Sequence, residues 1–244
     1  MTKYEIDAIN ELNIFKKEMT KRDSIVYKIT KKVQNKTNSF IPEKVHMVIT
    51  EGVKNMIKVV LFTSKYVTVK PPKLANLEER ENLAYEKLNL YRKTATISGA
   101  GTGLGGLMLG LADFPILLTI KINFLFNLAN IYGIDAREYK ERLYILYIFQ
   151  LAFSEGYERR KTYNKIINWS SYSEKLPDNI NDFNWIEFQQ EYRDYIDFSK
   201  MLQIIPGIGA PIGAPIGAYA NYKLMNKLAY VAINCFRMRY FSLN

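Results

Sequence analysis

Two uncharged, glycine-rich stretches constrain this chain more than any other feature of it. Residues 204–219 read IIPGIGAPIGAPIGAY, with Ala-Pro-Ile-Gly written twice in succession. Residues 99–110 hold six of the 13 glycines and residues 207–217 hold four more. Glycines four apart recur in both: Gly99/Gly103, Gly101/Gly105 and Gly106/Gly110, then Gly209/Gly213 and Gly213/Gly217. On a helix such residues share a face and let a second backbone come into contact. In water each glycine in a helix interior costs about 1 kcal/mol relative to alanine, so a close neighbour, a ligand or lipid has to compensate. The expectation is two small-residue segments packed together at the centre of the fold. Pro206, Pro211 and Pro215 should keep 204–217 from being one straight helix.

Both stretches reach transmembrane length, since residues 94–112 and 201–222 carry no charge. They are nevertheless poor in Leu, Ile, Val and Phe, which favours a buried core over a true span. The remaining charge is uneven. Residues 1–93 carry 19 Lys and Arg against 11 Asp and Glu, and nothing acidic follows Asp197. A net charge of +10 suits an anionic partner, whether a membrane surface, an acidic protein or nucleic acid. The basic residues are spread over helices without an aromatic-basic motif, so no specific nucleic-acid binding is expected. The only cysteine, Cys235, can form no intrachain disulfide, and the first ten residues lack the apolar core of a signal peptide. Both point to the cytoplasm.

Periodicity reads as all-α, a helical bundle with the two glycine-rich segments at its centre. Residues 1–40 form basic amphipathic N-terminal helices whose apolar positions are Tyr4, Ala8, Leu12, Phe15 and Met19, then Ile25, Ile29 and Val33. Residues 41–244 form the main helical domain. Within it, a segment 43–66 follows Pro42, and Asn76 with Glu79 opens a charged helix to about Lys93. An apolar helix runs from Phe114 to Tyr132 with Gly133 as its C-terminal cap. Asp135 with Glu138 caps the next, residues 168–184 form an exposed loop, Asn184 with Glu187 caps another helix, and residues 219–240 close the chain.

Familiar chemical motifs fail on context. Gly101, Gly103 and Gly106 spell G-x-G-x-x-G, but a charged helix precedes them, no βαβ unit surrounds them and no acid lies about 20 residues on. No Gly-Lys-Ser/Thr completes a phosphate loop. His46 stands alone, without partners for a metal site. No nucleophile-base pair or close carboxylate pair is visible, so neither catalytic residues, a cofactor nor a metal is expected.

Three segments carry a family resemblance. ISGAGTGLGGLMLGLADFP leads into an apolar helix, YGIDAREYKERLYIL follows, and IIPGIGAPIGAPIGAYANYKLMNKLAYVAINCFRMRYF comes last. Together they closely resemble the EcsC family. The first is similar to its Gly-Ala-x-Thr-Gly-x-Gly-Gly core ending in Ala-Asp-x-Pro, the second to its Tyr-Gly-x-Asp…Glu-Arg-Leu signature. The third is similar to its Pro-x-x-Gly-Ala…Asn-Tyr and terminal Arg-x-Arg. The resemblance is specific from about residue 84 to 240, and 41–244 is accordingly the EcsC-like domain. Pro211 and Pro215 replace the family's usual aliphatic residues. The resemblance implies the company of an ABC exporter's ATPase and membrane subunit, and implies no particular reaction.

The candidate binding residues are Asp113, Asn123, Asn127, Arg142, Asn221, Arg237 and Arg239. Asp113 ends a 19-residue uncharged run and reads either as the N-cap of the helix at Phe114 or as a buried acid. Asn123 and Asn127 lie on one face as interhelical hydrogen-bonding groups or as the polar side of a pocket. Arg142 can pair with Asp113 or with Glu138, its i−4 neighbour. Arg237 and Arg239 either contact lipid phosphate or an acidic partner, or complement the helix dipole. The close-packing set is Gly99, Gly103, Gly106, Gly110, Gly209, Gly213 and Gly217. Two functions remain open: a membrane-peripheral accessory protein of an ABC exporter or other membrane complex, and a lipid or small-molecule binding module, whether or not an enzyme.

Overall fold

The computed structural model describes residues 1–21, 43–62, 72, 76–103, 106–195 and 214–243, with side chains at 1–21, 47–48, 50–62, 72, 76–97, 114–191 and 218–242. Among the described residues there are nine α-helices, one 3₁₀ turn (Ile180–Asp182) and no strand. The all-α expectation holds.

Helix α1 (Lys3–Thr20) opens on a capping box, in which the Glu5 N–H donates to Thr2 Oγ1 and the Thr2 N–H donates to Glu5 Oε2. Its 3.6-residue stripe buries Ala8, Leu12, Phe15 and Met19, as the periodicity requires. Helix α2 (Glu43–Phe62) buries Val53, Met56, Ile57, Val60 and Leu61. Gly52 on α2 is a close-packing position outside either glycine cluster. A Cβ there would lie 3.0 Å from the Phe114 ring.

Helix α3 (Leu77–Gly103) starts where Asn76 Oδ1 accepts from the Glu79 N–H at 2.9 Å. It does not stop near Lys93 but continues ten residues into the first glycine cluster. Helix α4 (Gly106–Ile131) likewise begins earlier than the capping pattern at Asp113 suggests, so Asp113 and Pro115 lie inside it. The Asp-Phe-Pro cap is therefore corrected: the apolar run upstream extends the helix past a residue whose cap would otherwise have begun it. Gly99 and Gly103 fall on α3, and Gly106 and Gly110 on α4. Gly209 and Gly213 lie outside the described residues, and with them the expected contact between the two clusters.

The end of α4 is a Schellman motif. Gly133 takes φ +83°, its N–H donates to the Asn130 carbonyl at 3.0 Å, and the Ile134 N–H donates to the Ala129 carbonyl at 2.8 Å. The next helix, α5 (Tyr139–Phe153), is buried at every residue from Leu143 to Phe153, which makes it the central helix of the bundle. Asp135 does not cap it as expected; its carboxylate is taken by the backbone and side chain of Arg137. Helices α6 (Gly156–Ile167) and α7 (Trp169–Ser173) follow. The span 168–184 is thus not simply an exposed loop: Trp169 is buried, with its ring 5.0 Å from that of Tyr144 and 6.0 Å from that of Tyr147. Helix α8 (Trp185–Tyr195) starts at the expected pair, with the Glu187 N–H donating to Asn184 Oδ1 at 3.2 Å. Helix α9 (Ala214–Leu243) contains Gly217 and carries Pro215 as its second residue, where a missing N–H costs nothing.

α3 and α4 form an antiparallel pair, and α9 lies antiparallel along α3 in the most extensive helix-helix contact. Their register is fixed by side chains. Asn127 Nδ2 donates to Tyr91 Oη at 2.9 Å, and the Arg92 guanidinium lies 5.2 Å from the Tyr222 ring centre. At the opposite end Glu81 on α3 is fully buried and accepts two hydrogen bonds from Arg237 on α9, both 2.6 Å. Tyr4 Oη on α1 donates to Glu81 Oε2 at 2.7 Å, and Tyr132 Oη at the end of α4 donates to Oε1 at 3.1 Å. Glu11 on α1 takes the remaining arm of Arg237 at 2.6 Å. Burial pulls the Arg237 pKa down, but the hydrogen bonds and charge of Glu81, then Glu11, outweigh it and hold the guanidinium charged.

Removing one partner of this pair leaves a buried, uncompensated charge, so Glu81→Leu and Arg237→Met should each destabilise by about 3–5 kcal/mol. The double variant should lose far less than the sum, which urea denaturation and a double-mutant cycle will read. Strict additivity would show that the pair does not hold α3 to α9. Gly133→Ala should cost about 1 kcal/mol through its left-handed backbone, seen as a lowered Tm with the helical circular dichroism unchanged.

Candidate functional site

The helices are charged at one end of the α3–α4–α9 layer and carry a single charged residue, Asp113, at the other. Between Lys93 on α3 and Lys121 on α4 the chain holds one charged residue, Asp113, and on α9 nothing before Lys223 is charged. The Tyr91–Asn127 and Arg92–Tyr222 contacts bring Lys93, Lys121 and Lys223 into one zone about 9 Å deep along the helix axes, given a 1.5 Å rise per residue. In and above that zone, among the described residues, large apolar or aromatic side chains face solvent: Ile97 at 72% exposure, Ile116 at 51% and Tyr219 at 58%. The Lys223 ammonium lies 4.8 Å from the Tyr219 ring centre. On one flank α2 carries the surface pair Glu51–Lys54 and, with α4, walls a groove lined by Met56, Val59, Pro115 and Leu118.

Among the described residues, two fully buried polar side chains of this layer make no hydrogen bond. Lys121 is fully buried on α4, and its Nζ makes no hydrogen bond. Burial alone pulls its pKa down to about 8. Asn221 is fully buried on α9, and both its Oδ1 and its Nδ2 are unsatisfied. Buried polar groups are ordinarily hydrogen-bonded, and leaving one unmade costs about 1–3 kcal/mol.

The other sequence candidates fall elsewhere. Asn127 bridges α4 to α3 through Tyr91, the interhelical role expected of the asparagine stripe, and Asn123 is half-buried one turn before it. Arg142 meets neither Asp113 nor Glu138 through its side chain. Its Nη1 donates to the carbonyls of Ala136 and Arg137 at 2.9 and 2.8 Å, fixing the turn before α5. Arg237 is the buried partner of Glu81, and Arg239 is held bidentate by Glu141 over the Tyr144 ring. Neither arginine offers a free guanidinium at the surface. The Asp113 side chain lies outside the described residues. Among the described residues no three His, Cys, Asp or Glu side chains gather to hold a metal.

Sequence reasoning missed Glu81 and Lys121, and both had left a signal. Glu81 occupies a position of the stripe Leu77, Glu81, Ala84, Leu88 and Ala95, all buried, so a carboxylate stood where the period asks for an apolar residue. Lys121 is the one charge in the apolar run from Phe114 to Tyr132. That run includes the one helix among the described residues long and apolar enough to cross a membrane, Phe114–Ile131, of which 61% is buried inside the bundle.

The Lys121 assignment has a sign that can be checked. Its folded pKa of about 8 lies below the ordinary 10.5, so the unfolded chain binds the extra proton between those values. The penalty is fully present below about pH 8 and fades as pH rises toward 10.5. Lys121→Met should therefore stabilise the fold at pH 7 by about 3 kcal/mol, from 1.36 kcal/mol per pKa unit, and by less at pH 10. Chemical denaturation at the two pH values measures it; a destabilised variant would mean that the ammonium is satisfied after all.

A family model described as the EcsC protein family matches residues 7–241 of the chain. The chain is 41% identical over 226 residues to "Protein EcsC" of Bacillus subtilis (strain 168), covering 92% of this chain and 91% of that protein. It is 29% identical over 151 residues to "Uncharacterized protein YdbA" of the same organism, covering 59% of this chain and 52% of the relative. No solved structure matches it. The match runs from the first turns of α1 through the last of α9, taking in Glu81 and Arg237 alike, and the chain belongs to the EcsC family.

Proposed function

We propose that this protein is a cytoplasmic, membrane-peripheral accessory factor that works beside an ABC exporter or another membrane complex. The observation that carries the reading is the zone beyond which α3, α4 and α9 hold one charged residue between them, Asp113. Below it α3 and α9 are keyed to one another by the buried Glu81–Arg237 ion pair, to which Tyr132 at the end of α4 donates a hydrogen bond. Toward the glycine-rich side the three helices expose Ile97, Ile116 and Tyr219, with Lys93 and Lys223 at the border, where they would meet anionic headgroups. Apolar surface that would be a liability in water becomes an anchor at a lipid interface, and each lysine near an anionic leaflet adds about 1 kcal/mol. The excess of basic residues is consistent with the same partner.

The protein recovered from cells should sediment with membranes at low salt and be released by high-salt or alkaline carbonate washes. The double variant Ile97→Asp/Ile116→Asp changes exposed positions only, so it should keep its Tm and move to the soluble fraction. Wild-type protein that never sediments would sink the reading. Protein that resists both washes would make α4 an inserted helix instead of a core helix.

A further inference from the structure

We propose that the cleft between α2 and α8 binds a small zwitterion with an apolar side chain, an amino acid of the size of leucine. The two helices meet where the Lys58 ammonium lies 5.9 Å from the Trp185 ring centre. On α8 the Phe188 ring is buried, 5.5 Å from that of Tyr147 on α5, which fixes that face of α8 to the bundle. Ile186, Gln189 and Gln190 are left to form one wall of a cavity of about 260 Å³, and residues 50–57 of α2 supply the other. No described residue of either glycine cluster lines it.

The lining has two characters. Val53 and Ile57, both buried, give an apolar floor, and Ile186 lies exposed at the edge. Around them stand Thr50, Glu51 and Lys54 from α2 and the two glutamines from α8. The Glu51 carboxylate and the Lys54 ammonium are 3.8 Å apart and each about half exposed, a pair worth little to stability and readily parted. Gln189 Nε2 is out of water and makes no hydrogen bond. A seam built only to bury surface would close on apolar side chains instead of leaving a carboxamide unpaired. The two ends of a carboxamide have one shape, so a half-turn of the group presents this donor to the cleft.

A lone anion entering here would meet Glu51, and a lone cation would meet Lys54. A zwitterion answers both, with its ammonium toward Glu51 and its carboxylate toward Lys54 and the Gln189 amide. A single carboxylate is too few for a divalent cation, which takes several oxygen ligands. The cavity has the volume of about nine waters, at roughly 30 Å³ each, which suits an amino acid and excludes a nucleotide or a phospholipid. Val53 and Ile57 favour an aliphatic side chain over the hydroxyls of a sugar. The site stands without the membrane reading.

The test uses the full-length protein. Thermal unfolding is followed with L-leucine, glycine, N-acetyl-leucine, leucine amide and glucose, and isothermal titration gives the stoichiometry. Leucine should bind once per chain and raise Tm by roughly 3 °C at a tenfold excess over Kd. Each blocked form lacks one of the two charges and should bind about tenfold more weakly, the worth of one charged hydrogen bond. Glycine should also bind more weakly, for want of a side chain on the apolar floor. Glu51 and Lys54 are exposed, so Glu51→Gln and Lys54→Met should keep the Tm of the unliganded protein while each loses about tenfold in leucine affinity. The proposal is overturned by equal shifts from leucine and its two blocked forms, or by a leucine shift undiminished in both variants. The absence of any saturable leucine shift up to its solubility overturns it too, and a shift from glucose alone would make the cleft a sugar site instead. Vesicle sedimentation enters none of these outcomes and bears on the membrane reading alone.

Discussion

A carboxylate with no water around it, Glu81, fixes how the long helices meet. Both of its oxygens are taken by Arg237, and the hydroxyls of Tyr4 and Tyr132 complete its shell, so one side chain ties α1, α3, α9 and the end of α4. Taking two charges out of water costs several kcal/mol per ion, and good geometry with extra hydrogen bonds is what offsets it. The gain is specificity. Apolar surfaces slide past one another at little cost, whereas a buried bidentate pair admits one register. The same antiparallel pairing of α3 with α9 brings Arg92 against the Tyr222 ring three to four turns away.

Charge is consequently divided along the bundle. Around Glu81 gather Arg80, whose Nη1 donates to the Ile131 carbonyl at the C-terminus of α4, and Arg239, held by Glu141. The helix dipole of α4 also favours a cation there. Among the described residues the buried ion pair that orients α3 against α9 sits toward that end, while the sequence of the glycine-rich end holds small residues and few polar ones. A bundle stitched at one end can tolerate an apolar, loosely specified surface at the other.

How much of this was legible depended on whether the signal was local. The α1 stripe, the Asn76 and Asn184 caps and the Gly133 terminator follow from residues within one or two turns of each other, and all were readable. Asp113 was misread because a cap pattern is judged over four residues, whereas the helix through it is settled by the whole apolar run on both sides. Trp169 sits in a polar, turn-rich sequence, and only its aromatic partners on α5 explain its burial. Arg237 and Glu81 are 156 residues apart. Nothing local joins them, so the arginine was placed at the surface and the glutamate passed over. Asn221 was picked out from a family-like motif, and Lys121 was not picked out at all.

The lysine bears on whether α4 is a core helix or a span. By length and composition alone Phe114–Ile131 would serve as either. Near the centre of a bilayer an unpaired lysine is penalised as it is inside a protein, unless its side chain can reach the interface. Lys121 lies eight residues into that segment, with the ion-paired end of the bundle on its C-terminal side. Full insertion would carry the Tyr132–Glu81–Arg237 contacts toward lipid and break the tie on which the register depends. Dipping only the glycine-rich end would leave those contacts in place and bring Lys121 to headgroup depth. There an anionic headgroup would face the orphaned ammonium, which would no longer be a defect of the fold.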